Sequence, residues 1–337
     1  MLATIRDVAK AANVAVSTVS KVINGYTTLS QETIDKVNKA IADLGFRPNM
    51  TAKSMRTKKT NMIGIVVPDV AHPFFTELYV HLQQKFAKYE HGCFVFSTHS
   101  DEEKEVETIK AMLLRQVDGI LFSSVGWSEA LTQSLIKISG QIPLVSLNRI
   151  FHNSSIRSVN IDYFSGVMKG MKHLIQKGHQ RIAFIAGHLG SGAGDDRLRA
   201  YRAALSQSGI VYNEDLVRAG NMDIQSGYRC ARELARLHPL PSAIVAGNDA
   251  MAIGAIKYLK EQGIRIPHDV AVIGFDNIEW CNIVDPPLTT LKPDTEKIAE
   301  LVVEFMLGQP QESNCLLEPE LIVRKSTDFG AELAVDW

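Results

Sequence analysis

The 337-residue chain is poor in cysteine, with only Cys93, Cys230, Cys281 and Cys315, and no two of them form a C-x-x-C pair. Such spacing supports neither a zinc site nor a disulfide framework and reads as reduced, buried thiols. No apolar run approaches the ~18 residues that a membrane-spanning helix needs, so no membrane partner is expected. The opening Met1-Leu2-Ala3-Thr4-Ile5-Arg6-Asp7 has neither the basic n-region nor the apolar h-region of a signal peptide, which makes the cytoplasm the expected location. A P-loop G-x-x-x-x-G-K-[ST] is missing as well. The run Gly187-His188-Leu189-Gly190-Ser191-Gly192-Ala193-Gly194 offers G-x-G-x-G where the dinucleotide fingerprint needs G-x-G-x-x-G. With no His/Asp/Ser set at catalytic spacing, a nucleotide-cofactor enzyme is a distant alternative and no cofactor is expected. The glycine run reads equally well as a loop that feeds Arg197 into a cleft.

The charge that is present is unevenly spread. Residues 1–60 hold ten lysines and arginines against four acids, a surplus of six, whereas the rest holds 26 basic and 33 acidic residues. A basic head on an acidic body suits phosphate binding at one end only. Residues 4–45 predict three short helices. Thr4 caps the first, with Asp7 three residues on in a capping-box position. Ser30 caps the third, whose apolar spacing runs Ile34, Val37, Ile41, Leu44 and which Gly45 ends. Ala9 is small enough for a helix crossing, and Val8, Ala12, Val14, Val19 and Val22 supply a core. Asn13 falls at the turn, where a positive φ is needed and Asn is among the few non-glycine residues to accept it. The second helix, about 16–24, then presents Val16, Ser17 and Lys21 outward. That is the pattern of a helix-turn-helix; an ordinary three-helix subdomain is the bland alternative.

Pro48 breaks the pattern, and a short polar and basic stretch follows. From Met62 onward, short β-branched runs at 63–67, 94–97, 119–122, 144–147, 159–161, 182–186, 243–246, 270–274 and 321–323 alternate with amphipathic stretches such as 74–89 and 166–177. Strands separated by helices predict parallel sheets covered on both faces, and about ten strands suit two sheets better than one. Two α/β lobes of this kind place a ligand in the cleft at their strand ends. Asp69, Asn148-Arg149, Asn248-Asp249 and Asp276 all sit just beyond predicted strands, although a strand-end Asn or Asp is as often a helix cap.

The string Thr4-Ile5-Arg6-Asp7-Val8-Ala9-Lys10-Ala11-Ala12-Asn13-Val14, followed by Ser17-Thr18-Val19-Ser20-Lys21-Val22-Ile23-Asn24, resembles the signature of the LacI/GalR repressors. The likeness extends through Gly45-Phe46-Arg47-Pro48-Asn49 and Ala52-Lys53-Ser54-Met55 into the body. It implies an α plus α/β architecture: a helix-turn-helix DNA-binding domain over 1–48, a hinge helix and linker over 49–61, and a two-lobed periplasmic-binding-protein-like sensor over 62–330. Lobe 1 would span about 62–161 plus 292–320, and lobe 2 about 162–291 plus 321–330. The tail, 331–337, is too short for a tetramerising heptad segment, which makes a homodimer the expected assembly. By the same resemblance Val16, Ser17 and Lys21 face base edges in the major groove of double-stranded operator DNA. Lys21 stands where Arg is commoner and forfeits bidentate geometry, and Ala15 stands where a capping Ser is usual, so the operator sequence stays open. Lys53 and Met55 belong to the hinge, Met55 wedging into the minor groove where Leu is usual.

The pocket motifs implied are Asn148-Arg149, Asp195-Asp196-Arg197, Asn248-Asp249, Gly274-Phe275-Asp276 and His72-Pro73-Phe74-Phe75. Effector contacts are therefore expected from Phe75, Asn148, Arg149, Arg197, Asn248 and Asp276, with Asp69, His72, Asp162 and Trp280 as further candidates. Amides, carboxylates and a guanidinium fork suit a neutral polyol, with Phe75 or Trp280 stacked on its C–H face. A purine calls for more aromatic surface and fewer carboxylates, and a sugar phosphate for a Lys/Arg cluster that the sequence lacks. The expected function is repression of carbohydrate-utilisation genes from a palindromic operator, relieved by a small sugar. A purine or other co-repressor, or an activator on the same architecture, is the alternative.

Overall fold

The computed structural model describes residues 3–23, 29–46, 59–123, 128–187, 192–308 and 312–328. The chain divides into two compact units, 1–60 and 61–337. The hinge positions Lys53 and Met55, and residues 188–191 of the glycine run, lie outside the described residues.

The first unit holds α1 (Ile5–Ala11), α2 (Val16–Ile23) and α3 (Gln31–Asp43). A reciprocal capping box starts α1, with Asp7 N–H donating to Thr4 Oγ1 and Thr4 N–H donating to Asp7 Oδ2 at 2.9 Å. Ser30 Oγ accepts from Thr33 N–H at the start of α3. Val8, Ala9, Ala12, Val19, Val37 and Ala40 form the core, with Val14, Val22 and Ile41 packed against it. Asn13 makes the turn at φ +50°, and Gly45 leaves α3 at φ +57°. Leu44, expected on the apolar stripe, is exposed because it stands at the helix end; Ala40 takes the inward place.

The second unit is built on two six-stranded sheets. The first runs β11 (Asn314–Leu317), β5 (Arg157–Ile161), β4 (Leu144–Leu147), β3 (Gly119–Phe122), β1 (Met62–Val67), β2 (Gly92–Ser97). The second runs β12 (Glu320–Ile322), β10 (Thr289–Lys292), β9 (Ala271–Phe275), β8 (Ala243–Ala246), β6 (Ile182–Ala186), β7 (Val217–Ala219). All the pairings are parallel except β10 with β12. The central strands are buried on both faces, which is why they read as unbroken apolar runs. The chain passes between the sheets three times: after Ile161, after Lys292 and after Leu317. One apolar cluster spans these passages, running from Ile63, Val145 and helix Thr295–Leu307 through Tyr163 to Phe275 and Leu291 of the second sheet. Among the described residues no helix is long and apolar enough to cross a membrane.

Three strands escaped the sequence pattern. Thr-Thr-Leu-Lys of β10 looks polar, yet its threonines are buried, with Thr289 Oγ1 donating to Arg324 O and Thr290 Oγ1 to Asp249 Oδ1. β7 is three residues long, and β11 is an edge strand of mixed burial.

Candidate functional site

Parallel strands deliver their C-terminal ends, and the helix N-termini that follow, to one side of each sheet. A cavity of about 380 Å³ lies among these ends. The first sheet contributes Asp69 and His72 beyond β1, Phe75 in the first turn of helix Pro73–Ala87, and Asn148 beyond β4. The second contributes Arg197 from helix Gly192–Gln207 and Asp276 beyond β9, while Tyr163 opens the helix that crosses from one sheet to the other. Left-handed backbone at non-glycine residues concentrates here: His99 (φ +54°), Ser100 (+61°), Asn148 (+64°), Met222 (+64°) and Asp276 (+115°). Such conformations cost of order 1–3 kcal/mol each and persist where packing over-determines them, commonly at ligand sites.

Arg197 sits over an aromatic shelf, its guanidinium carbon 3.8 Å from the Tyr163 ring centre and 5.1 Å from that of Phe275. Its Nε is buried without a hydrogen-bond partner among the described residues. Asn148 is held at both ends of its amide: Oδ1 accepts from Ile161 N–H at 2.9 Å, and Nδ2 donates to the Tyr163 hydroxyl oxygen at 2.9 Å. That leaves the Tyr163 O–H free to donate onward, and burial pushes its pKa up to about 12, so it stays a phenol.

Opposite stands a pair of acids. Asp249 is fully buried, accepting from Thr290 Oγ1 at 2.6 Å and from Ile278 N–H at 3.0 Å. Burial pushes its carboxyl up to about 6 against those hydrogen bonds. A Cβ on Gly274 would lie 2.0 Å from Asp249 Oδ1, so only glycine permits this approach. Asp276 is held well above the usual carboxylate range by burial and by Asp249 behind it, with Arg197 pulling the other way.

In the head, α2 begins after Ala15, whose methyl cannot cap it, and it exposes Val16, Ser17 and Lys21. Val16 is 42% exposed, an apolar side chain held outward at the first turn.

Residues 4–49 match the family model described as bacterial regulatory proteins, lacI family, and residues 171–327 match a periplasmic binding protein-like domain. Catabolite control protein A of Priestia megaterium is 32% identical over 97% of this chain and 100% of its own length. The chain belongs to the LacI family of bacterial regulatory proteins. Among solved structures, a lac repressor dimer bound to operator and the anti-inducer ONPF superposes with TM-score 0.87 at 27% identity, covering 97% of this chain and 99% of the other. A complex of the transcriptional regulator CelR with cellobiose superposes with TM-score 0.70 at 31% identity, covering 96% and 99%. These relatives are regulators rather than enzymes, and this LacI-family protein is a transcriptional repressor of the PurR, catabolite-control and Lac type.

Of the ten effector contacts expected in this LacI-family body, the structure brings Phe75, Asn148, Arg197, Asp276, Asp69 and His72 to the cavity wall. It does not bring four others there. Arg149 follows the left-handed Asn148 and turns away, donating from Nη2 to Thr132 Oγ1 at 2.6 Å with its guanidinium over Phe151. Asp162 caps helix Tyr163–Gln176 by accepting from Ser165 N–H at 2.8 Å. Trp280 is 48% exposed, since Cys281 turns the inner face of its short helix toward the core. Asn248 is fully buried one layer behind His72: it caps helix Asp249–Glu261 through Oδ1 and donates from Nδ2 to Met222 O and His72 Nε2, each at 2.9 Å. The sequence reading missed Tyr163, one residue beyond Asp162, and the wall segments His99-Ser100, Ser123 and Asn221-Met222-Asp223. A helix-opening aromatic directly after a strand-end acid was the available signal for Tyr163. The wall segments follow short or edge strands and gave none.

Proposed function

We propose that this repressor silences carbohydrate-utilisation genes by binding a palindromic operator as a homodimer, and that a neutral sugar filling the cleft releases it. The observation that carries the ligand class is the Arg197–Asp276 pair. Both are more than nine-tenths buried, at 5% and 7% exposure, both line the cavity, and no ion pair joins them. A ligand rich in hydroxyls satisfies a guanidinium and a carboxyl together without carrying charge of its own. Phe75 adds an apolar wall for a C–H face, and among the described residues lining the cavity there is no lysine to hold a phosphate. The cellobiose complex of a relative supports the same class.

In the head, Val16 would meet a thymine methyl, Ser17 would bond base edges, and Lys21 would reach guanine acceptors. Exposed Phe94 and Phe96 on edge strand β2, with Val80 nearby in sequence on the preceding helix, supply an apolar face for the second copy. Sugar binding that favours one lobe angle over another would lower operator affinity; a coupling of about 1–3 kcal/mol changes it roughly 5- to 150-fold. Isothermal titration of the full-length protein against mono- and disaccharides, purine bases and nucleosides tests the class. One sugar binding, with affinity lost in Asp276→Ala, is the expected outcome. Binding of a purine and of no sugar would replace the proposed effector.

A further inference from the structure

We infer that His72 is an acid-sensitive bond between the two lobes, closing the cleft only while its imidazole is neutral, so that acid weakens the repressor's hold on its effector. The inference rests on reading the cavity as the effector site. His72 stands at the N-cap of helix Pro73–Ala87 but makes no side-chain cap bond there. Its ring reaches instead from the first sheet's side to Asn248, which follows β8 of the second sheet.

The direction of that hydrogen bond is fixed independently of the ring. Asn248 Oδ1 accepts from Met251 N–H at 3.0 Å, and Nδ2 also donates to Met222 O at 2.9 Å, so the amide NH₂ is the end that faces His72. His72 Nε2, 2.9 Å away, must therefore accept, and the single imidazole proton resides on Nδ1. A second proton on Nε2 would set one donor against another and break the bond. Nδ1 is buried with no partner among the described residues, so the imidazolium gains no compensating acceptor there.

The charged and titratable surroundings point the same way. Asp69 on the same loop favours protonation, and Arg197 from helix Gly192–Gln207 opposes it. Asp276 Oδ2 lies 3.9 Å from Nε2, but burial and Asp249 hold that carboxyl toward its neutral form. His99 faces the same cavity from beyond β2. Burial outweighs these charges and pushes the His72 imidazole below its ordinary range. An effector that draws the lobes together around a neutral His72 must bind less well as pH falls through that range, by up to about tenfold per pH unit for one linked proton.

Two measurements on the full-length protein decide it. Long-range ¹H–¹⁵N spectra without ligand, assigned by comparison with His72→Gln, should show His72 neutral and protonated at Nδ1, with a midpoint below that of an unperturbed histidine. An Nε2-protonated ring, or a midpoint at or above the ordinary value, overturns the inference even if no sugar is found to bind. Effector titration from pH 7.5 to one unit below the measured midpoint then compares the wild type with His72→Gln, whose side-chain carbonyl reaches the Nε2 position, can accept the same Asn248 proton and does not titrate. The wild-type dissociation constant should rise several-fold more than the variant's. Parallel curves would assign the pH dependence to Asp69, Asp276 or His99 and overturn the latch, while absence of any sugar binding would count against the proposed effector alone.

Discussion

Arg197→Met separates the cleft's role in binding from its role in folding. Arg197 is nearly buried, stacked 3.8 Å over Tyr163, with an Nε that finds no partner among the described residues. In the empty cavity the cation–π contact stabilises by about 0.5–2 kcal/mol, and the orphaned donor costs about 1–3 kcal/mol. The two nearly cancel. Methionine keeps the length and a sulfur–aromatic contact of about 0.3–1.5 kcal/mol, so the unfolding free energy should change by less than about 1 kcal/mol. With effector bound, the guanidinium fork supplies two charge-assisted hydrogen bonds of about 1.5–3 kcal/mol each, so their loss weakens binding roughly 10²- to 10⁴-fold. Calorimetric titration and urea unfolding of the same preparation read both quantities. Effector affinity within threefold of wild type would show Arg197 to be idle, and a stability loss above about 3 kcal/mol would show it to be structural; either result overturns its role as an effector ligand.

Further outcomes follow from single contacts. Gly274→Ala drives a methyl into Asp249 Oδ1 and displaces a carboxylate bonded to Thr290 and Ile278, and it should cost about 2–5 kcal/mol in denaturant unfolding. Because burial holds the Asp249 carboxyl up at about 6 when folded, against 3.8 for an ordinary aspartate, folding binds a proton between those values. Its contribution to stability therefore falls as pH rises through that window, and Asp249→Asn should remove that part of the unfolding free energy's pH dependence. Thr4→Ala removes half of the α1 capping box and should lower the head's stability by about 1 kcal/mol, seen as an earlier thermal transition of residues 1–60. Trp280→Ala should leave effector affinity within twofold, since the indole lies outside the cavity.

Much of this architecture was legible because local and tertiary demands agree. Thr4 and Asp7 announce a helix start by their chemistry alone, and Asn13 marks the turn because few other residues accept its φ. Buried strands such as 182–186 carry the apolar run that two covered faces require. Strand β10 was missed because its threonines satisfy their hydroxyls inside the protein, a fact visible only once Arg324 and Asp249 are in place. In the cleft, the strand-end rule found Asp69, Asn148 and Asp276 but could not distinguish a ligand contact from a cap, and Asp162 is a cap. Arg149 misled for a different reason: its guanidinium is taken up by Thr132 and the Phe151 ring, contacts that the local sequence does not announce. Tyr163 and the His72–Asn248 bond depend on elements far apart in sequence meeting across the cleft, which no local pattern records.

The central claim is that one protein joins operator recognition to sugar sensing. Fluorescence anisotropy of labelled DNA from around its own gene, titrated with the full-length repressor and repeated with each sugar of the panel, addresses it most directly. Tight, salt-sensitive binding to a palindromic segment is expected, weakened at least fivefold by one sugar in the wild type and left unchanged by it in Arg197→Met. Sequence-preferring binding that no sugar alters, although a sugar occupies the cleft by calorimetry, would contradict the central claim.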